Sequence, residues 1–290
     1  MAKDTFLNRK TTLNIKGKLV DLSTPAVMGI LNLTPDSFYS NSRADSIEQA
    51  LLKTKSFLKE GAKFIDIGAY SSRPGATHIS TDEELDRIVP VIEAIHKNFP
   101  EAILSIDTFR AEVAKQAIAA GGHIINDIAA GDLDEAMFET IAELNVPYIL
   151  MHMKGTPQNM QEEPSYKNVG LEVIGYFAEK VATLKRLGVK DLVIDPGFGF
   201  AKNLDHNYEL LSHLEDFKIF GLPFLVGFSR KSMVYKPLGS NAAEALNGTT
   251  ILNTIALIKG ANILRVHDVK AAAECITLIQ KIQQYSSNPI

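Results

Sequence analysis

Short runs of apolar residues recur along this chain. Each is closed by a polar residue and followed by a longer stretch whose apolar positions fall three and four apart. The runs are Ala26–Asn32, Phe64–Asp66 with Ile67, Ile103–Asp107, His123–Asp127, Tyr148–Met153, Leu192–Asp195, Phe224–Gly227 and Ile263–His267. A run apolar on both faces is the pattern of a buried parallel strand. Between the runs, the helical period predicts helices over Ser46–Glu60, Asp82–Lys97, Ala111–Ala120, Glu135–Leu144, Gly170–Leu187, His206–Leu214, Ala242–Lys259 and Val269–Ile282. Thr81, with Glu84 three residues on, reads as a capping box for the second helix. Ahead of the first run, Leu13–Leu22 alternates around Lys16-Gly17 and predicts a hairpin.

Alternating β and α elements in this number predict an α/β chain of the (β/α)8 TIM-barrel class, with a short N-terminal β-hairpin. The expected boundaries are about 12–23 for the hairpin and about 25–285 for the barrel, within a single domain. A doubly wound open sheet is the alternative. The count of runs, and the lack of a Gly-x-Gly-x-x-Gly turn after the first strand, favour the barrel.

Composition changes this picture little. With 46% hydrophobic and 22% charged residues in 290, the chain is of ordinary globular type. Its net charge of −4 gives no basic field for nucleic acid, so any anion site must be local. No apolar run reaches membrane-spanning length, and the N-terminal MAKDTFLNRKTTLNIK carries no apolar core of a signal peptide. The lone cysteine, Cys275, suits a reducing cytoplasm and reads as a packing residue.

In a barrel, function gathers at the C-terminal ends of the strands. Those ends read Asn32, Asp66, Asp107, Asn126-Asp127, Met151-His152-Met153, Asp195, Ser229-Arg230-Lys231 and Arg265-Val266-His267. Asp107, Asn126 and Asp195 with Lys231 make a compact set of acceptors and donors, suited to the edge of a flat heterocycle bearing several N–H groups. A buried salt-bridge network that only holds the barrel would use the same residues. In DLVIDPGFGFAK, the two glycines after Asp195 let backbone approach closely, and Phe198 or Phe200 offers an aromatic wall.

Arg265 and His267, two apart on a strand, share a face. With Arg73, in the loop after the second strand, they predict one anion site. Pairing of Arg265 with Asp268 is the plainer alternative. Asn32, Asp36 and Asp66 are candidates to help hold Mg²⁺ beside a phosphate. The segments Leu33–Ala44 and Ser71–Ser80 lack periodicity and read as covers over the barrel mouth. His152, between two methionines, reads as packed. Zinc-type Cys/His spacing, a Gly-x-Ser-x-Gly elbow and a Walker loop are all lacking.

The motifs MGILNLTPDSF, DIGAYSSRPGA, SIDT, INDI, LMHM, DPGFGFAK, GFSRKSM and RVHDV, in this order from roughly Pro25 to Ala271, resemble the dihydropteroate synthase family of folate biosynthesis. The resemblance implies a barrel, generally dimeric and cytoplasmic. It implies a Mg²⁺-assisted transfer that joins 6-hydroxymethyl-7,8-dihydropterin pyrophosphate to 4-aminobenzoate and releases pyrophosphate, by a dissociative route. It also makes the chain a sulfonamide target.

Residue by residue, it implies that Asp107, Asn126, Met151, Asp195, Lys231 and Arg265 hold the pterin. Asn32, Arg73, Arg265 and His267 would hold pyrophosphate, with the metal at Asn32. Phe38, Ser72, Pro74, Phe200, Lys231 and Ser232 would hold the aryl amine, Ser232 at a helix N-terminus. Catalysis would fall to Asp107, Asp195, Lys231 and Arg73. Two positions depart from the family pattern. Tyr70 stands where a carboxylate is common, and Ser40 where a loop acid is. A pterin-binding methyltransferase barrel and a catalytically inactive pterin-binding relative remain as alternatives.

Overall fold

A computed structural model describes residues 10–33, 43–71, 78–157, 160 and 164–285. Its elements, in chain order, open with a hairpin of β1 (Thr12–Ile15) and β2 (Lys18–Asp21). Then come β3 (Ala26–Asn32), α1 (Arg43–Glu60), β4 (Phe64–Gly68), α2 (Thr81–Asn98), β5 (Ile103–Asp107), α3 (Ala111–Ala119), β6 (Ile124–Asp127) and α4 (Met137–Leu144). The second half runs β7 (Tyr148–Met151), α5 (Val169–Arg186), β8 (Leu192–Asp195), α6 (Leu204–Ser212), β9 (Leu225–Val226), α7 (Ser232–Tyr235), α8 (Leu246–Ile258), β10 (Ile263–Val266) and α9 (Val269–Gln283).

Strands β3 to β10 form one parallel sheet in the order β8-β7-β6-β5-β4-β3-β10-β9. A parallel bridge between Ile194 and Phe224 joins its two ends, so the sheet closes into the expected barrel. The outward strand faces pack on the helices in one large core that includes Phe57, Ile92, Leu104, Phe177, Phe224 and Val266.

The inward faces begin at the bottom with Met28, Phe64, Ile124, Ile149, Val193, Leu225 and Ile263. Against this layer the hairpin buries Leu13, Ile15 and Leu22. The hairpin is thus the floor of the barrel. Its turn, Lys16-Gly17, has φ of 48° and 81°, the pair of positive angles that a tight two-residue hairpin demands. The register lifts the polar positions above the apolar floor. It pairs Asp66 with Ser105, Asp107 with Asn126, and Met151 with Asp195.

Three expectations need correction. The cap of α2 is Ser80, whose side chain accepts from the Glu83 N–H, rather than Thr81. Glu84 does not close a capping box; it is buried and accepts from Thr108 and Arg110. The sixth helical period, His206–Leu214, covers two elements: α6 and a 3-10 turn over Leu214–Phe220. The seventh starts at Leu246, since Asn241 turns the chain before it by accepting from the Ala243 and Glu244 N–H groups.

Candidate active site

At the C-terminal ends of the strands lies a cavity of about 770 Å³. Asn32, Asp107, Phe200, Lys231, Ser232, Arg265 and His267 all line it, each named as a candidate from sequence. Asn126, Met151 and Asp195 stand buried in the same barrel mouth, at the ends of β6, β7 and β8.

An ion network occupies the centre. Arg265 donates from Nε to Asp66 and from an Nη to Asp107, both at 2.6 Å. Asn126 also donates to Asp66, at 3.1 Å. Asp66 is fully buried and does not line the cavity; its Oδ2 holds Arg265 and Asn126 from below. Pairing of Arg265 with Asp268 is overturned. Asp268 takes both its bonds from Arg230, which binds the Ala242 and Ala243 carbonyls as well.

Burial pushes the Asp107 carboxyl up to about 7; Arg265 pulls it down, and Asp66 adds repulsion. Burial opposes the charge on Arg265, but Asp66 and Asp107 more than offset it, and the guanidinium stays protonated. The site therefore holds a fixed cation against a carboxylate whose charge is easily changed.

After β8 the chain makes a turn that few sequences can follow. Gly197 has φ of 73°, and a Cβ there would stand 2.0 Å from the His152 carbonyl oxygen. Gly199 has φ of 82°, and a Cβ there would stand 2.9 Å from the Lys231 side chain. The Gly197 N–H turns back to Asp195 Oδ1 at 2.8 Å. Lys231 Nζ donates to the Phe198 carbonyl at 2.5 Å and lies 4.5 Å from the centre of the Phe200 ring. Of the two aromatic candidates, Phe200 faces the cavity, while Phe198 is buried against Phe228. Burial raises Asp195 and lowers Lys231, the latter to about 8; each offsets part of the other's shift.

On the other side, Ser229 Oγ lies 2.9 Å from His267 Nδ1 and accepts from the His267 N–H, so the ring is oriented from β9's end. Ser232 does open a helix, but α7 is four residues long, and its dipole adds little to anion binding. Tyr70 lines the cavity, with its hydroxyl 3.2 Å from His78 Nδ1. Arg73, Phe38, Ser72 and Pro74 lie outside the described residues, as do Asp36 and Ser40.

His152 is packed as expected, 2% exposed, and burial drives its pKa down to about 2. One residue of the site escaped the reading of the sequence: Lys202, which is buried under the turn after β8. Its position at the end of DLVIDPGFGFAK was the available signal. Among the described residues, no group of three or more His, Cys, Asp or Glu side chains could hold a metal ion.

Comparison with known proteins agrees with this geometry. A family described as "Pterin binding enzyme" matches residues 28–267. The dihydropteroate synthase of Escherichia coli (strain K12) is 45% identical over 267 residues, 91% of this chain and 94% of that protein. That of Haemophilus influenzae is 41% identical, over 92% of this chain and 98% of the relative. Among solved structures, Yersinia pestis dihydropteroate synthase in a sulfonamide drug complex superposes with a TM-score of 0.88 at 42% identity, covering 94% of this chain and 99% of that one. The Xanthomonas albilineans enzyme with 4-aminobenzoic acid gives 0.87 at 38% identity, covering 94% and 98%.

Proposed function

The chain belongs to the pterin-binding enzyme family, among its dihydropteroate synthases, and from that premise we propose how its own residues divide the work of this transferase. The observation that carries the proposal is the convergence of Asp107, Asn126, Asp195, Lys231 and Arg265 on one barrel mouth. The pterin ring lies over Met151, with its N–H edge toward Asp107, Asn126 and Asp195. Lys231 donates to the ring's acceptors. To admit the ring, Arg265 gives up its bond to Asp107 and keeps Asp66.

Pyrophosphate sits across Asn32, Arg265 and His267, with Arg73 as a further cation. The C–O bond to the pterin methylene breaks, and its electron pair leaves on the pyrophosphate oxygen. The methylene cation spreads into the ring, where Asp107 and Asp195 stabilise it. The neutral amine of 4-aminobenzoate then attacks, forming the C–N bond, and its proton is lost to solvent. None of the candidate residues need act as a nucleophile; the residues position the reactants and balance charge.

Phe38, Ser72 and Pro74 join Phe200, Lys231 and Ser232 around the aryl amine in this reading. Sulfonamides of similar shape would compete there. Mg²⁺ fits as an ion held chiefly by the pyrophosphate, with the Asn32 carbonyl as its protein ligand, because the described residues offer no larger ligand set. When bound, it neutralises leaving-group charge.

The alternative of a methyl-transferring barrel gives way to the identity with dihydropteroate synthases along nearly the whole chain. The chain is read as a cytoplasmic enzyme, supported by a single buried thiol, Cys275. No helix among the described residues is long and apolar enough to cross a membrane. It is also read as a homodimer, supported by apolar side chains exposed on the neighbouring helices α8 and α9.

Purified protein given dihydropterin pyrophosphate, 4-aminobenzoate and Mg²⁺ is expected to release pyrophosphate and form dihydropteroate. Folded protein that yields no product above the uncatalysed background would refute the enzyme reading and leave an inactive pterin-binding relative.

A further inference from the structure

Lysine is rarely buried, because an ammonium loses its hydration unless strong partners replace it. Lys202 is only 3% exposed, and among the described residues it makes no ion pair. Its Nζ instead meets three acceptors: His152 Nδ1 at 3.0 Å, the Gly197 carbonyl at 3.0 Å and the Phe200 carbonyl at 3.1 Å. Burial lowers the Lys202 pKa to about 7 against the pull of Asp195, and lowers that of His152 to about 2, so the imidazole is neutral; in its ammonium form Lys202 donates to His152 Nδ1, and the ring then carries its proton on Nε2. The ring is held edge-on to Tyr176, at 4.9 Å between centres.

The turn that Lys202 grips has a demanding backbone. Gly197, Gly199 and Ala201 all take positive φ, a costly choice for Ala201 in particular. The Phe200 N–H closes it onto the Gly197 carbonyl at 3.1 Å, and side chains hold the carbonyls around that bond. Lys202 binds carbonyls 197 and 200, Lys231 binds carbonyl 198, and Tyr166 binds carbonyl 201 at 2.8 Å. The Gly199 N–H goes to Asn207 at 2.7 Å. Lys231 also faces the cavity, so its grip competes with substrate contacts. Lys202 does not line the cavity, so its grip does not compete with substrate contacts.

We propose that Lys202 and His152 form a positioning pair for the aryl-amine half of the site: the lysine, seated on the neutral imidazole, clamps both ends of the Gly197–Phe200 turn and so sets the Phe200 ring beside Lys231. The proposal rests on the reading of Phe200 as a wall for the aryl amine. Of the pterin residues, Asp195 and Lys231 touch the turn, but Asp107, Asn126 and Arg265 come from other strands, so the pterin half depends on the clamp less.

Lys202→Met removes all three hydrogen bonds but keeps a chain of similar length. In the full-length variant, hydrogen exchange in the peptide covering residues 195–203 is expected to speed up about tenfold, with β3 to β7 unchanged. KM for 4-aminobenzoate should rise about tenfold or more, while KM for dihydropterin pyrophosphate stays within about threefold. His152→Leu should reproduce the effect in weaker form, and His152→Gln, which can keep an acceptor, should restore most of it.

Unchanged exchange at 195–203, or unchanged amine KM, would overturn the proposal. So would a uniform rise in exchange and in both KM values, which marks a lysine that merely supports the core. If Lys202→Met does not fold, the two His152 variants decide by the same readings. A wild-type protein that makes no product refutes the enzyme reading instead, and the exchange comparison still tests the clamp.

Discussion

Asp195 shows how one atom can separate a binding residue from a structural one. Its Oδ1 accepts the Gly197 N–H, and that bond survives in Asp195→Asn through the amide oxygen. What the substitution changes is the second oxygen, which becomes a donor and, in the proposed site, would face ring donors. Pterin affinity is expected to fall by roughly 2–4 kcal/mol, the scale of a charged hydrogen bond lost and its partner left unpaired. Calorimetry with the pterin substrate tests this, with thermal melting as the control for folding. Unchanged affinity would make Asp195 structural.

His123 offers a second test at this scale, away from the site. Its Nδ1 accepts from the buried Leu104 N–H at 3.2 Å, and burial, with Lys16 and His96 nearby, lowers its pKa from 6.5 to about 4. The unfolded chain therefore takes up this proton first as pH falls. Stability from the neutral ring is whole above pH 6.5 and drains away as pH drops toward 4. Between about pH 7.5 and about pH 5, wild type should lose roughly 2 kcal/mol relative to His123→Asn over the same change. Urea unfolding at the two pH values measures this difference. Parallel pH dependence would show that the ring is not held neutral.

At the scale of elements, the hairpin and the turn after β8 do opposite work. The hairpin supplies apolar volume at the bottom of the barrel, where Leu13 is fully buried. Leu13→Ala should cost about 2–5 kcal/mol, the cost of a lost side chain plus the cavity it leaves. Because the floor lies below the polar layer, the variant's KM values should stay close to wild type under conditions where it is folded. A selective loss of pterin binding would show instead that the floor shapes the site. The turn after β8 anchors itself in the core through Phe198, but spends its glycines and a buried lysine on the placement of a few atoms.

For the whole molecule, α8 and α9 leave Ile251, Ile258, Leu278 and Ile282 between 44% and 65% exposed. Apolar exposure on two adjacent helices is the kind of patch that a second subunit covers. Sedimentation should give twice the 31.8 kDa chain mass. Ile251→Asp with Leu278→Asp should return it to one chain mass. A doubly substituted protein that stays dimeric would place the interface elsewhere.

The barrel itself was legible because eight apolar runs and the helical periods between them are local patterns, and burial on both faces leaves a chain little else to form. Strand ends were legible too: a carboxylate such as Asp107 or Asp195 cannot continue into an apolar layer, so it marks where the layer stops. The family resemblance then attached roles to residues that the pattern had already singled out. Partners across the barrel were not legible. Arg265 reaches Asp66 and Asp107, not the adjacent Asp268, because closure brings β10 within reach of β4 and β5, and sequence distance carries no trace of that. Nothing local marks Lys202 at the end of DLVIDPGFGFAK as buried. Only the packed structure, which seals it beneath that turn with His152, decides that it is buried, and burial is what turns a common side chain into a clamp.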